Sequence, residues 1–285
     1  MNQATTNPTP TAAPEWATTS GDAWARRWRE TDAGLAGLSP HLLSAIVACA
    51  PAGPFDAFEI GCGAGSTAIA VAEACCEATI TACDVSPALV RVAEQRTADV
   101  AAIRVRLGDA EALAEREGPF DLILSRHGVM FFPDPVRAFQ NLWRSVRPGG
   151  SLVFSCFRSW GANPWASELA SAAAGKALPS PGREPSGFAF ADPDYVRQIL
   201  SSSGWRDAEL RAVDFRYVAA EGDSAVDHAL SYLAEIGPAS RVVQSLPEQD
   251  RSGALKRMRG VIEQHFDADA VVFSAAAWIW RAKVP

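Results

Sequence analysis

The chain has 285 residues, of which 48% are hydrophobic and 21% charged. Those figures fit one large globular domain, or one domain with an appendage, and exclude general disorder or a fibrous architecture. The balance of 26 basic to 33 acidic residues gives a net charge of −7, which repels phosphate backbones and argues for no nucleic-acid partner. No run approaches the ~18 uninterrupted apolar residues of a membrane span. The start of the chain also lacks a basic segment followed by an apolar one. The expectation is a cytoplasmic protein without a membrane partner, monomer or homodimer. Its six cysteines (Cys49, Cys62, Cys75, Cys76, Cys83 and Cys156) have no metal-ligand spacing. They read as reduced, buried thiols with no metal site.

Residues 1–20, rich in Thr, Pro and Ala, have no periodicity and read as a mobile arm. Trp24, Arg27 and Trp28 recur at helical spacing, and Ser39 with Pro40 announces a second helix, so 21–50 forms helices ahead of the core. From residue 54 the pattern changes. Strands are expected at 55–60, 79–83, 103–107, 121–124 and 151–157. Helices are expected at 65–75, 86–95 and 134–146, with a turn at 147–150. β-Rich runs alternating with helices imply crossover connections and a mostly parallel, doubly wound α/β sheet. Beyond residue 157 come a helix at 163–176, a proline- and glycine-rich loop at 178–187, and a helix framed by Asp192, Pro193 and Gly204. Strands at 208–218 and 271–283 then enclose helices near 224–236 and 247–266. The total is seven strands in one domain over 21–285, with a core at 54–157, covering elements at 158–285 and a helical insertion before the last strand.

The most informative segment is Glu59-Ile60-Gly61-Cys62-Gly63-Ala64-Gly65-Ser66, where the first strand meets the first helix of the core. Glycines there permit positive φ and let backbone amides approach a ligand at a helix N-terminus. Asp84 follows at the end of the second strand, where a carboxylate can accept from ribose hydroxyls. Together they indicate an adenosine-containing ligand. The run is GxGxG rather than GxGxxG, and the glutamate before it would repel a pyrophosphate, which disfavours NAD. A sulfonium carrying an amino-acid tail suits that acidic entry.

Five segments in this order and spacing resemble the class I S-adenosylmethionine-dependent methyltransferases: EIGCGAGS at 59–66, CDVS at 83–86, GDAE at 108–111, FDLILSRHGVMFF at 120–132 and RPGGSLVFSCF at 147–157. The resemblance is strong over about 20–160 and closest to the small-molecule, quinone-biosynthesis-type subgroup. It implies the Rossmann-like fold, an S-adenosyl-L-methionine cofactor and a small-molecule substrate. Residue by residue, it implies that Glu59, Gly61, Cys62, Gly63 and Gly65 border the methionine and ribose. Asp84 would hold the ribose, Val85 would lie against the adenine, and Asp109 and Ala110 would meet the adenine edge. Ser125 would line the methionine end. Trp24, Trp28, Trp160 and Trp165 would cover the mouth, and Arg26 or Arg27 would reach the methionine carboxylate. Methyl transfer is an in-line displacement that needs a base only if the acceptor must lose a proton. His127, just past the fourth strand, is the candidate, with an unperturbed pKa of about 6.5. A non-catalytic cofactor-binding or regulatory protein on the same fold is the alternative.

Overall fold

The computed structural model describes residues 13–285. Its first elements are α1 (Ala13–Trp16), α2 (Thr19–Arg26), α3 (Trp28–Leu35) and α4 (Ser39–Cys49). Most of 13–20, expected to belong to a mobile arm, is therefore helical, and residues 1–12 lie outside the described residues. Trp16 meets the rings of Trp24 and Phe131 at centroid distances of 5.5 and 4.9 Å. These contacts offset the entropy of ordering a Thr- and Pro-rich segment. Ser39 does not cap α4: Leu38 holds the N-cap position, and the Ser39 hydroxyl donates back to the Leu35 carbonyl at 3.1 Å.

The core then alternates: β1 (Phe55–Ile60), α5 (Ser66–Ala74), β2 (Ala78–Asp84), α6 (Pro87–Thr97), β3 (Ile103–Leu107), α7 (Ala110–Glu117), β4 (Phe120–Arg126), α8 (Pro135–Arg144) and β5 (Val146–Phe157). Helices α6 and α8 start as side-chain chemistry dictates. Ser86 accepts from the Leu89 amide at 3.2 Å and Asp134 from the Arg137 amide at 3.1 Å, each followed by a proline in the first turn. Helix α7 is an addition to the expected elements, opened by the Asp109 carboxylate accepting from the Ala112 amide at 3.0 Å. The expected turn at 147–150 lies inside β5. Phe120 pairs with Val146 and Leu122 with Ser151, so the intervening residues bulge from the ladder. Arg147 fixes that bulge, donating to Asp121 at 2.7 Å and Asp56 at 3.0 Å.

The remainder comprises α9 (Pro164–Ala174), α10 (Pro193–Ser202), β6 (Arg206–Glu221), α11 (Ala225–Leu233), α12 (Pro238–Ser245), α13 (Glu248–Gln264), β7 (Phe266–Asp267) and β8 (Ala270–Lys283). The sheet runs β3-β2-β1-β4-β5-β8-β6, with β7 paired to β8. Neighbours from β3 to β5 are parallel, and β8 is antiparallel to β5 and β6. This is the expected α/β architecture; the two-residue β7 and helix α12 are the elements not foreseen after residue 204. Apolar side chains of β1, β2, β4 and β5 are buried on both faces of the sheet, which is why those strands read as short continuous apolar runs.

Candidate functional site

The chain turns back at β1, with β2 on one side and β4 on the other. In an open α/β sheet such a reversal leaves a crevice beyond the carboxyl ends of the strands. A cavity of about 690 Å³ lies there, roofed by residues of α1 to α3 and of α12. Its volume falls within the ~300–1,000 Å³ common for small-molecule sites.

Its floor is the turn between β1 and α5. Gly61 has φ +63° and its hydrogen-bearing face lies against Gly128: a Cβ on Gly61 would stand 3.1 Å from the Gly128 Cα. A Cβ on Gly128 would stand 2.7 Å from the Ile60 carbonyl oxygen and 2.8 Å from the Ser125 hydroxyl. Two backbones therefore touch where the loops after β1 and β4 meet. Ser125 itself is fully buried and absent from the cavity wall, contrary to expectation. Its hydroxyl donates to the Ile60 carbonyl at 2.8 Å and accepts from the Gly128 amide at 3.1 Å, fastening that seam. Gly65 also lies off the wall, as the left-handed N-cap of α5. Gly61, Cys62, Gly63, Val85, Asp109, Ala110 and Trp24 do line the cavity.

Asp84 is 8% exposed, and its two carboxylate oxygens accept from the Gly63 amide at 3.0 Å and the Ser86 amide at 2.9 Å. Burial pushes its carboxyl up, while the amides of Ser86, Gly63 and Val85 favour the charge. Glu59 is 1% exposed and accepts from the Thr67 hydroxyl and the Ala68 amide, so it caps the N-terminus of α5 from the neighbouring strand. Its Oε2 has no partner. Burial pushes this carboxyl up to about 8, against the pull of the Arg126 guanidinium. Cys62 and Cys83 are thiols, driven up by burial.

Neither Arg26 nor Arg27 lines the cavity. Arg27 turns to Glu235, at 2.7 Å, and to Glu30, at 3.1 Å, while Arg26 stands 3.7 Å from Glu235. Arg126, at the end of β4, does line the cavity, and it donates to Asp32 and Ser66, both at 2.7 Å. Asp32 also accepts from Ser66 at 2.9 Å and from Arg96 at 3.0 Å. Arg96 in turn covers the Trp28 ring at 4.0 Å. Arg126 lies within the 120–132 segment, and its place next to Ser125 at a strand end is the signal in the sequence that marks it.

Away from the glycine turn the wall is aromatic, built by Phe157, Phe188, Trp165 and Tyr217. Trp165 lies face to face with Tyr217 at 4.8 Å, and Phe157 stacks on Phe188 at 5.5 Å. Trp160 stands behind Phe188 and does not reach the cavity. His127 joins the two halves. Its φ is +60°, it is 8% exposed, its ring lies 4.1 Å from that of Phe157, and its Nδ1 is 2.9 Å from the Ser155 hydroxyl. Its Nε2 is buried without a partner. Burial, aided by Arg126, pushes the imidazole down to about 3, so the unperturbed pKa expected for a base does not apply.

Residues 58–154 match the family model described as a methyltransferase domain. Malonyl-[acyl-carrier protein] O-methyltransferase from Paenibacillus sp. is 37% identical over 103 residues, 35% of this chain and 37% of that protein. The Geobacter sulfurreducens protein of the same name is 29% identical over 158 residues, 55% of this chain and 58% of its own. The chain thus spans less than two thirds of the length of these curated relatives. Phosphoethanolamine N-methyltransferase 2 of Haemonchus contortus, solved in complex with S-adenosyl-L-methionine, superposes with a TM-score of 0.55 at 16% identity, over 97% of this chain and 60% of that one. That likeness is one of fold.

Proposed function

We propose that this chain, which carries a class I S-adenosylmethionine-dependent methyltransferase domain, binds that cofactor over the glycine turn and transfers its methyl group to a small-molecule acceptor held among the aromatic side chains. The observation that carries the reading is Asp84 beside the Gly63 amide, with the partnerless Glu59 Oε2, on the floor of one cavity continuous with an aromatic wall. The residues fit the group. Asp84 keeps lone pairs for two ribose hydroxyls, and Glu59 and the Asp32–Arg126 pair can receive an ammonium and a carboxylate. Asp109 and Ala110 would meet the adenine, although one Asp109 oxygen already caps α7.

When bound, the cofactor supplies an electrophilic methyl carbon on a positively charged sulfur. This chain's part is alignment and exclusion of water. Backbone contact at Gly61 and Gly128 fixes the floor. Phe157, Phe188 and Trp165 flatten and dry the acceptor's berth, and the helices ahead of the core close it. The cavity's volume of about 690 Å³, in the range common for small-molecule sites, supports a small acceptor.

Calorimetry with S-adenosylhomocysteine and with NAD tests the binding half: micromolar affinity for the first and none for the second is expected, and the reverse order overturns the assignment. Mass spectrometry of a panel of small acids, phenols and amines incubated with the cofactor tests transfer. Tight cofactor binding with no product from any of them favours the non-catalytic alternative.

A further inference from the structure

We propose that His127 acts as a hydrogen-bond donor through Nε2–H, oriented by Ser155, and that the acceptor therefore carries its own oxyanion: a flat apolar molecule bearing a carboxylate or an enolate conjugated to a carbonyl. This rests on the methyl-transfer reading above and names the acceptor class of the same site.

The tautomer follows from counting hydrogens. Ser155 is fully buried, and among the described residues its hydroxyl has His127 Nδ1 as its hydrogen-bond partner, at 2.9 Å. If Nδ1 carried the proton and donated to the serine, the serine hydrogen and the Nε2 lone pair would both be buried without partners. If the serine donates to Nδ1, every group is satisfied except Nε2–H. A buried polar group without a partner is costly, so the second arrangement is the stable one. It leaves a single demand, an oxygen lone pair from a ligand, at a residue that lines the cavity where the glycine turn meets the aromatic wall. An ammonium or an amide N–H cannot meet that demand.

The rest of the wall agrees. Outside the glycine turn and the loops after β2 and β3, the carboxylates among the described lining residues are Glu15, Asp32 and Glu235. Each is held in a salt bridge, by Arg241, by Arg96 and Arg126, and by Arg27 respectively. None stands ready to take a proton. An acceptor that is already an anion needs no base. One of its oxygens rests on Nε2–H while the nucleophilic oxygen bonds to the methyl carbon, the carbon–sulfur bond breaks and the electron pair goes to sulfur. A negative and a positive charge disappear together, and no proton moves.

Two measurements test this. In protein labelled with 15N-histidine, with the His127 signal assigned by its loss in His127→Asn, the ring should show a bare Nδ1 and a protonated Nε2 unchanged from pH 5.5 to 8.5. A protonated Nδ1 or an imidazolium overturns the proposal. With S-adenosylhomocysteine bound, calorimetry should find benzoate or cinnamate at least tenfold tighter than benzyl or cinnamyl alcohol. That preference should vanish in His127→Leu and persist in His127→Asn, whose amide keeps a donor and tolerates the positive φ. Alcohols or amines that match the acids, or acids that do not bind, overturn it. Loss of S-adenosylhomocysteine binding in the unaltered protein instead defeats the cofactor assignment, and the histidine spectrum remains readable without it.

Discussion

Asp84, the last residue of β2, holds the Gly63 amide of the adjacent β1–α5 turn at 3.0 Å. With the Cys62 amide donating to the Cys83 carbonyl at 2.8 Å, it joins two features that were separate in sequence, the glycine run and the acidic residue beyond it. The two bonds together keep the turn at the height of the strand ends. Because a carboxylate offers about four acceptor sites, the Ser86 and Gly63 amides leave capacity facing the cavity.

Asp84→Ala should weaken S-adenosylhomocysteine binding by at least about tenfold, since charge-assisted hydrogen bonds contribute ~1.5–3 kcal/mol each. It should also lower unfolding free energy by ~1–3 kcal/mol, because two amides lose a buried partner. Calorimetry and denaturant titration separate the effects. Lost stability with unaltered affinity would make Asp84 a brace for the turn and nothing more.

The glycines divide into two kinds. A Cβ on Gly63 would meet nothing within 4 Å, whereas one on Gly128 would overlap the Ile60 carbonyl at 2.7 Å. Gly63→Val should therefore keep the fold, at a backbone cost of ~1–2 kcal/mol for the left-handed conformation, and abolish cofactor binding by filling the cavity floor. Gly128→Ala should lose more stability than Gly63→Val, because it parts the seam between two loops. Thermal unfolding of both variants decides the order.

What could be read from the chain was what neighbouring residues determine. The parallel strands showed because both their faces are buried, and the start of α10 at Asp192 showed because a side chain beside its own helix does the capping. The glycine turn and Asp84 were equally local. Helix α7 was hidden by its brevity, and α12 by the loop chemistry before it. Asp32 and Arg126 meet across distant segments, and Phe188 reaches the wall from a loop with no periodicity, so neither pattern nor spacing could place them. His127 shows the limit most plainly. Its position past β4 was legible, but the burial that alters its acidity comes from β5, through Ser155 and Phe157.

The helices ahead of the core should act as a lid. Trp16 packs on Trp24 and Phe131, Glu15 meets Arg241 of α12 at 3.2 Å, and Arg27 meets Glu235. Removal of residues 1–20 should therefore speed the release of S-adenosylhomocysteine, and Trp16→Ala alone should do so by roughly five- to thirty-fold, the equivalent of ~1–2 kcal/mol for a half-buried aromatic. Stopped-flow dissociation gives the answer directly. Release rates equal to those of the intact chain would remove these helices from the closure.

Cofactor affinity should rise with pH, for a reason found at Glu59. Its buried carboxyl is pushed up to about 8 in the ligand-free protein, so at pH 7 it is mostly protonated. An ammonium set against Oε2 favours the carboxylate, and binding must then expel the proton. The sign follows from linkage: between pH 5 and 8 affinity should climb with each unit of pH by up to about tenfold, levelling off once the group is ionised before binding. For the ligand-free fold the same group acts in the opposite direction. Its raised pKa contributes stability that is complete below its ordinary value of 4.5 and is lost as pH rises through about 8. Bound cofactor should cancel that loss. Calorimetry at pH 7 in buffers of different ionisation enthalpy should count close to one proton released per cofactor, and Glu59→Gln should abolish both the release and the pH slope while weakening binding at pH 8.5. Zero proton release by the unaltered protein would show that Glu59 serves α5 as a cap and does not meet the ammonium.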